Sequence, residues 1–325
     1  PGGAEVYKEL LQLHTTTTLT PEEVHQRGRE RMARIEADMQ KVRDQLGFEG
    51  TAAEFAVYLR QQPGAVAETP EGVGEKMRRH KNRVEERFDE FFAERSPFDY
   101  DLLRLDEALE SSMTWGFYQA PMSAEPRGLY RFNGSKLDSQ AVIAAGALVF
   151  HELVPGHHLQ ITLQAENDGL HPFRRYARLN AYDEGWAEYA AELTGEMGLY
   201  DDPLDRYGRY IMDSFLTSRL VVDTGMNALG WSHEQAMTYM AEHTLCNETE
   251  IYTDTLRYSC SIPGQALAYK LGDEAIMGMR EKMQDRLQNK FDFRAFHSAI
   301  LKAGSIPIPV LEWHLDWYTD QQLSA

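Results

Sequence analysis

Cysteine is almost missing from this sequence: Cys246 and Cys260 are its only two. Two thiols exclude a disulfide framework, and they exclude a zinc cluster built from cysteine alone. They read as two buried thiols rather than a bridge. No run of eighteen apolar residues occurs, so no membrane-spanning helix is expected, and no secretory leader is visible. Positive charge is scarce as well. Lysines and arginines number 33 against 51 aspartates and glutamates, for a formal net charge of -18. Such a surface repels a phosphate backbone, which argues against nucleic acid as a partner. There is no internal repeat, no low-complexity segment and no initiator methionine, for the chain opens Pro1-Gly2-Gly3. That opening reads as a processed or truncated product. A lost targeting segment would leave the compartment, cytoplasmic or exported, open.

What is present is a long chain, 325 residues with 42% hydrophobic content, enough for a large core. Helical signals dominate. Thr20-Pro21-Glu22-Glu23 reads as an N-cap, a first-turn proline and a capping-box glutamate, opening an amphipathic, charged surface helix to about Gln45. Thr51 to Glu54 repeats the box, and Thr69-Pro70-Glu71 opens a run to Phe92 whose basic residues read as a solvated face. Between Ser96 and Gly134, prolines, glycines and aromatics indicate loops and short strands. The segment from Gly128 to Gly134 is the best strand. Helices are then predicted over 139–154, 172–195, 203–228, 232–243, 263–288 and 307–317. The expected class is mainly α with a small β-sheet. The expected division is a helical region, 1–96, and a catalytic region, 97–325, sharing one core.

The chemistry gathers at Phe150-His151-Glu152-Leu153-Val154-Pro155-Gly156-His157-His158, which closes the apolar run from Ala141. Two histidines one helical turn apart can hold zinc while a glutamate between them serves as general base. Here the fourth residue after His151 is Pro155, not histidine. Helical periodicity brings His158 back to the azimuth of His151. A distortion at Pro155-Gly156 would instead bring His157 round. A third ligand is expected from Asp183-Glu184-Gly185-Trp186-Ala187-Glu188, where Glu184 and Glu188 share a face, one binding metal and the other orienting a histidine. Arg219 and Asp223, four apart, read as a helical ion pair. Arg257 and Tyr258 are candidates to hydrogen-bond a developing oxyanion. The strand 128–133 would offer its edge to an extended substrate, with Tyr130 and Asn133 as candidate contacts. His243 is a candidate pocket residue, and His297 reads as structural or surface.

Together these segments resemble the domain of unknown function 885 family, which is grouped with the zinc peptidases of the thermolysin-like superfamily. The resemblance rests on His-Glu-x-x-Pro-Gly-His-His-x-Gln from His151, Glu-Gly-Trp-Ala-x-Tyr from Glu184, Arg-Leu-Val-Val-Asp-Thr-Gly from Arg219, and Arg257-Tyr258 followed by Pro263-Gly264-Gln265-Ala266. It implies a zincin-like helical metallopeptidase fold with its sheet beside the active-site helix. It also implies His151, His157 and Glu184 as ligands of Zn2+ and Glu152 as general base. His158 would then be a substrate contact. Members are usually longer at the N-terminus, so a missing N-terminal segment or a second copy of the chain is a candidate partner. One departure stands out: Asn227 takes a place where the family commonly has histidine, which marks it as a specificity or substrate-binding position. The expected function is zinc-dependent hydrolysis of a peptide. The alternative is a zinc enzyme on the same scaffold acting on a small non-peptide metabolite, as an amide hydrolase or a lyase.

Overall fold

A computed structural model of the chain describes residues 3–110, 113, 115–135, 137 and 140–324. Most of these are helical, with one three-stranded sheet. The caps form as their residue types dictate. Thr20 accepts from the Glu23 amide while Glu23 takes the Thr20 amide, opening Pro21–Gln45. Thr51 and Glu54 do the same for Ala52–Arg60. Each such cap stabilises its helix by about 1 kcal/mol. The charged helix Pro21–Gln45 is less exposed than its composition suggests. Its Val24, Met32, Ile35 and Met39 are buried, and it packs along Pro203–Asn227.

Several predicted helices are interrupted where the chain turns. The run from Thr69 stops at Val84 and resumes as Phe88–Phe91. The run predicted from 139 is Gln140–Ile143 followed by Ala145–Glu152, with Ser139 outside the described residues. The stretch 172–195 divides into Pro172–Tyr176 and Asn180–Glu196. Helices His157–Ala165, Glu248–Cys260 and Phe293–Ala303 lie outside the predicted ranges. The second of these was legible, because Asn247 and Glu250 form a capping box.

The sheet corrects one expectation. Strand β1 is Tyr100–Arg104, β2 is Gly116–Gln119 and β3 is Gly128–Phe132, in the order β1-β3-β2. β3 pairs parallel with β1 and antiparallel with β2. The predicted strand is therefore central and has no edge to offer. Its near-continuous burial, with only Arg131 partly open, is what a central strand requires. Among the described residues, the strand beside the cleft described below that has no second strand neighbour is β2.

One hydrophobic cluster runs across the 96/97 division, joining Val73, Met77, Phe88 and Phe92 to Phe150 and Trp186. A fully buried side chain of this size contributes about 1.5–3 kcal/mol, whereas the many surface ion pairs contribute about 0–1 kcal/mol each. Apolar burial thus holds the two regions together. The cysteines are unbridged, and Cys260 is exposed rather than buried, at the end of its helix. Among the described residues, no helix is long and apolar enough to cross a membrane.

His297 is fully buried in this core. Its Nδ1–H donates to the Phe91 carbonyl at 2.8 Å, and its Nε2 accepts from the Tyr189 hydroxyl at 2.8 Å. Burial pushes its pKa down to about 3. The folded state thus keeps it neutral while the unfolded chain protonates it below about 6.5. Its contribution is present above that pH and is lost as pH falls toward 3. Between pH 7 and pH 5 the loss is about 2 kcal/mol. Urea unfolding at both pH values should show His297→Gln losing less stability over this interval than the parent by that amount. An equal loss would show that His297 is not buried neutral.

Candidate metal centre

His151 sits in the last turn of Ala145–Glu152, a helix buried from Ala145 through His151. The helix ends at Glu152, because Leu153 leaves helical geometry at φ -105 and ψ -115 and Pro155 has no amide to donate. Gly156 then brings the backbone back on itself. A Cβ there would stand 1.9 Å from the His151 carbonyl oxygen, so only glycine fits. A new helix begins at His157. This turn sets the rings of His151 and His157 4.7 Å apart and nearly perpendicular. His158 points elsewhere. Its Nδ1 accepts from the Tyr118 hydroxyl at 2.9 Å and its Nε2–H donates to the Phe98 carbonyl at 3.1 Å. Burial lowers its pKa to about 4, in keeping with a neutral ring. Of the two histidines, His157 joins His151.

Glu184 arrives on Asn180–Glu196, which crosses Ala268–Leu287 at Gly185 and Gly272. A Cβ on Gly185 would lie 2.5 Å from the Gly272 Cα, and one on Gly272 would lie 2.0 Å from the Ala181 carbonyl oxygen. Without side chains at the crossing the helices touch, which brings Glu184 and Glu188 against Tyr269 and Lys270. The Glu184 Oε2 lies 3.2 Å from His157 Nε2 and 3.6 Å from His151 Nε2. One ligand atom from each of the three residues lies within 4.8 Å of the other two. The Glu184 Oε2 and His157 Nδ1 are buried without a hydrogen-bond partner. An orphaned carboxylate oxygen facing two imidazole nitrogens is costly unless a cation meets it. Two imidazoles and a carboxylate are a donor set that fits zinc. The same demand for positive charge appears in the titration of His151. Burial opposes its charged form, but Glu184 and Glu188 outweigh burial and hold its pKa up to about 10.

Behind this cluster lies a supporting network. Glu188 is fully buried and accepts from His151 Nδ1–H at 2.9 Å. Its other oxygen takes Lys270 Nζ at 2.6 Å and the Arg209 guanidinium at 3.2 Å. Burial disfavours its charge, yet Lys270 and Arg209 keep its pKa well below the usual carboxylate range. Lys270 also meets Asp213 at 2.7 Å and Asp273 at 3.2 Å, and Arg31 reaches Asp273 at 2.8 Å. An anionic Glu188 fixes the His151 proton on Nδ1 and leaves Nε2 free to ligate.

Glu152 follows His151 and lines a cleft of about 450 Å³ together with His151, Trp115, Phe117, Phe215 and Tyr269. Burial raises the pKa of its carboxyl, although the imidazoles nearby oppose the shift. A carboxyl so placed can exchange a proton with a reacting group in the cleft. Tyr269 stacks on His151, with ring centroids 6.1 Å apart and planes within 10°. Burial, with Glu184 and Glu152 close by, keeps its hydroxyl protonated.

Of the other candidates, Arg257 lines the cleft, exposed and paired with Asp254 at 3.0 Å, while Tyr258 is completely buried and does not line it. Tyr130 is buried on β3 and donates to the Trp115 carbonyl. The Asn133 amide bonds the Glu110 and Met113 carbonyls. Both are structural. Asn227 donates to the Asp223 and Tyr258 carbonyls, tying two helices together away from the cleft. His243 pairs with Glu36 at 2.6 Å on the outside. The expected Arg219–Asp223 ion pair does not form. Asp223 instead takes Tyr7, Gly264 and Asn227. Sequence reasoning passed over Tyr269, Tyr118, Arg209 and Lys270. For Tyr269 and Lys270 the available signal was their position just after Pro263-Gly264-Gln265-Ala266, a segment that carries part of the family resemblance.

The family described as "Bacterial protein of unknown function (DUF885)" matches residues 1–315. The chain is 32% identical to a solved structure described as "the putative lipoprotein from Colwellia psychrerythraea", with a TM-score of 0.94 over 99% of this chain and 56% of that one. A second, described as "a putative lipoprotein of unknown function from Shewanella oneidensis", is 18% identical with a TM-score of 0.77 over 95% of this chain and 59% of that one. The chain thus spans somewhat over half the length of each. The second likeness speaks to fold alone. No curated protein matches.

Metal analysis after zinc loading should find about one ion per chain in the parent and in His158→Gln, and none in His157→Ala. Retention by His157→Ala would move the site elsewhere. Glu188→Gln should keep the site but weaken zinc affinity roughly 10- to 100-fold in competition with a chelator. An unchanged affinity would make the Glu188 bond irrelevant to the metal.

Proposed function

We propose that this chain, which belongs to the bacterial DUF885 family, is a zinc-dependent hydrolase of peptide bonds. The observation that carries the reading is the convergence of His151, His157 and Glu184 within 4.8 Å, at a cleft that also holds Glu152. The reading groups the protein with the thermolysin-like zinc peptidases. In its support, a His-Glu pair closes one helix and a glutamate from a later helix completes the donor set.

His151, His157 and Glu184 would hold the ion, which supplies Lewis acidity to a carbonyl and to water. Glu152 takes a proton from the attacking water and returns it to the leaving nitrogen. The Tyr269 hydroxyl, on the cleft wall beside His151, can donate to the oxygen that becomes negative as water adds. The outer edge of β2, which brings Gly116 and Phe117 to the cleft and has no second strand beside it among the described residues, suits an extended peptide that would continue the sheet. Asn227, read as a specificity position, ties two helices together and does not line the cleft, so it gives the non-peptide alternative no specific support. The lipoprotein description of the 32% identical structure favours an exported setting for this activity.

Glu152→Gln should bind zinc as the parent does and lose at least about 100-fold in kcat on a peptide library read by mass spectrometry. Turnover at the parent rate would remove Glu152 from the base role.

A further inference from the structure

We infer that Arg219 receives the terminal carboxylate of the substrate, so that the enzyme acts on short peptides near a free C-terminus. This rests on the hydrolase reading above and specifies its substrate. Arg219 lies on Pro203–Asn227 and lines the cleft, yet it is only 9% exposed. The other cations near the site, the buried Lys270 and Arg209 and the partly buried Arg31, all meet carboxylates. Arg219 forms no ion pair among the described residues, and its Nε is buried without a hydrogen-bond partner. Of the acids in its neighbourhood, Asp223 holds Tyr7, Gly264 and Asn227, and Asp254 holds Arg257 through Oδ1 at 3.0 Å, while the buried Asp254 Oδ2 has no hydrogen-bond partner and makes no ion pair with Arg219.

Aromatic rings surround Arg219 instead. Its guanidinium carbon stands 4.5 Å from the Phe215 ring centre, 4.9 Å from Tyr269 and 5.5 Å from Tyr258. Ring faces offset part of the cost of burying a cation, but they occupy its faces and leave the in-plane N–H groups to find an acceptor. A planar carboxylate matches that fork with two parallel bonds. The position suits a terminus close to the scissile bond, because the Tyr269 ring that touches Arg219 also stacks on His151. Leu148, Met212, Phe215 and Leu216 line the same cleft and favour a large apolar side chain beside the carboxylate. The cleft, about 450 Å³, is of small-ligand size rather than a long groove. In the reaction the C–N bond breaks, the water oxygen joins the carbonyl carbon, and the leaving amine takes the proton and departs with the carboxylate held by Arg219.

The test compares benzoyl-glycyl-phenylalanine with its C-terminal amide on the zinc-loaded protein. The free acid should have kcat/KM at least about tenfold above the amide, the size expected of a charge-assisted pair. Arg219→Gln should bring that ratio to near one, with Arg219→Lys between. An amide cleaved as fast as the acid, or a ratio untouched in Arg219→Gln, would overturn the assignment. Calorimetry on zinc-loaded Glu152→Gln with N-acetyl-phenylalanine and its amide separates this claim from the hydrolase reading and needs no change at Arg219. Tighter binding of the acid, lost in Glu152→Gln/Arg219→Gln, supports the carboxylate site even if no peptide is cleaved, in which case the hydrolase reading alone falls. Equal binding of acid and amide overturns the site even if peptides are cleaved.

Discussion

The arrangement depends on one hydrogen bond, from His151 Nδ1–H to a Glu188 carboxylate that cannot reach solvent. Its strength comes from the charges behind it. Lys270 and Arg209 hold Glu188 ionised, and Asp213, Asp273 and Arg31 balance them in turn. Removing any one member would leave an uncompensated charge in a medium that cannot solvate it. The network therefore does little for net stability compared with apolar packing of the same volume. What it does is fix which nitrogen of His151 faces the cleft.

Backbone geometry brings the remaining groups to that nitrogen. The turn through Pro155 and Gly156 replaces the missing histidine one turn along the helix, and the bare crossing of Gly185 over Gly272 lets Glu184 come within reach. Both devices work by omission of a side chain. The long helices around them, with their capping boxes and apolar faces, keep these close approaches in register. The N-terminal region takes part directly, since Arg31 belongs to the charge network and Tyr7 to the bonds around Asp223.

Much of this was legible in the sequence. The helical class followed from caps and periodicity, and His151, His157 and Glu184 were all singled out before any geometry was known. Family resemblance chose His157 where periodicity favoured His158, because an ideal helix does not anticipate a turn that ends it at Glu152 and restarts it at His157. The less legible features were tertiary. No local pattern shows that β3 is central rather than an edge, or that Tyr258 is buried while Tyr269 reaches the cleft. The i,i+4 spacing of Arg219 and Asp223 suggested a pair, but both side chains found other partners across helices, where aromatic faces and backbone amides compete with a neighbour on the same helix.

X-ray absorption at the zinc edge of the loaded protein tests the central claim most directly. The account predicts a first shell of nitrogen and oxygen at about 2.0–2.2 Å, with the outer-shell scattering of two imidazoles and no sulfur. A sulfur shell at about 2.3 Å, or a spectrum without histidine scattering, would contradict it.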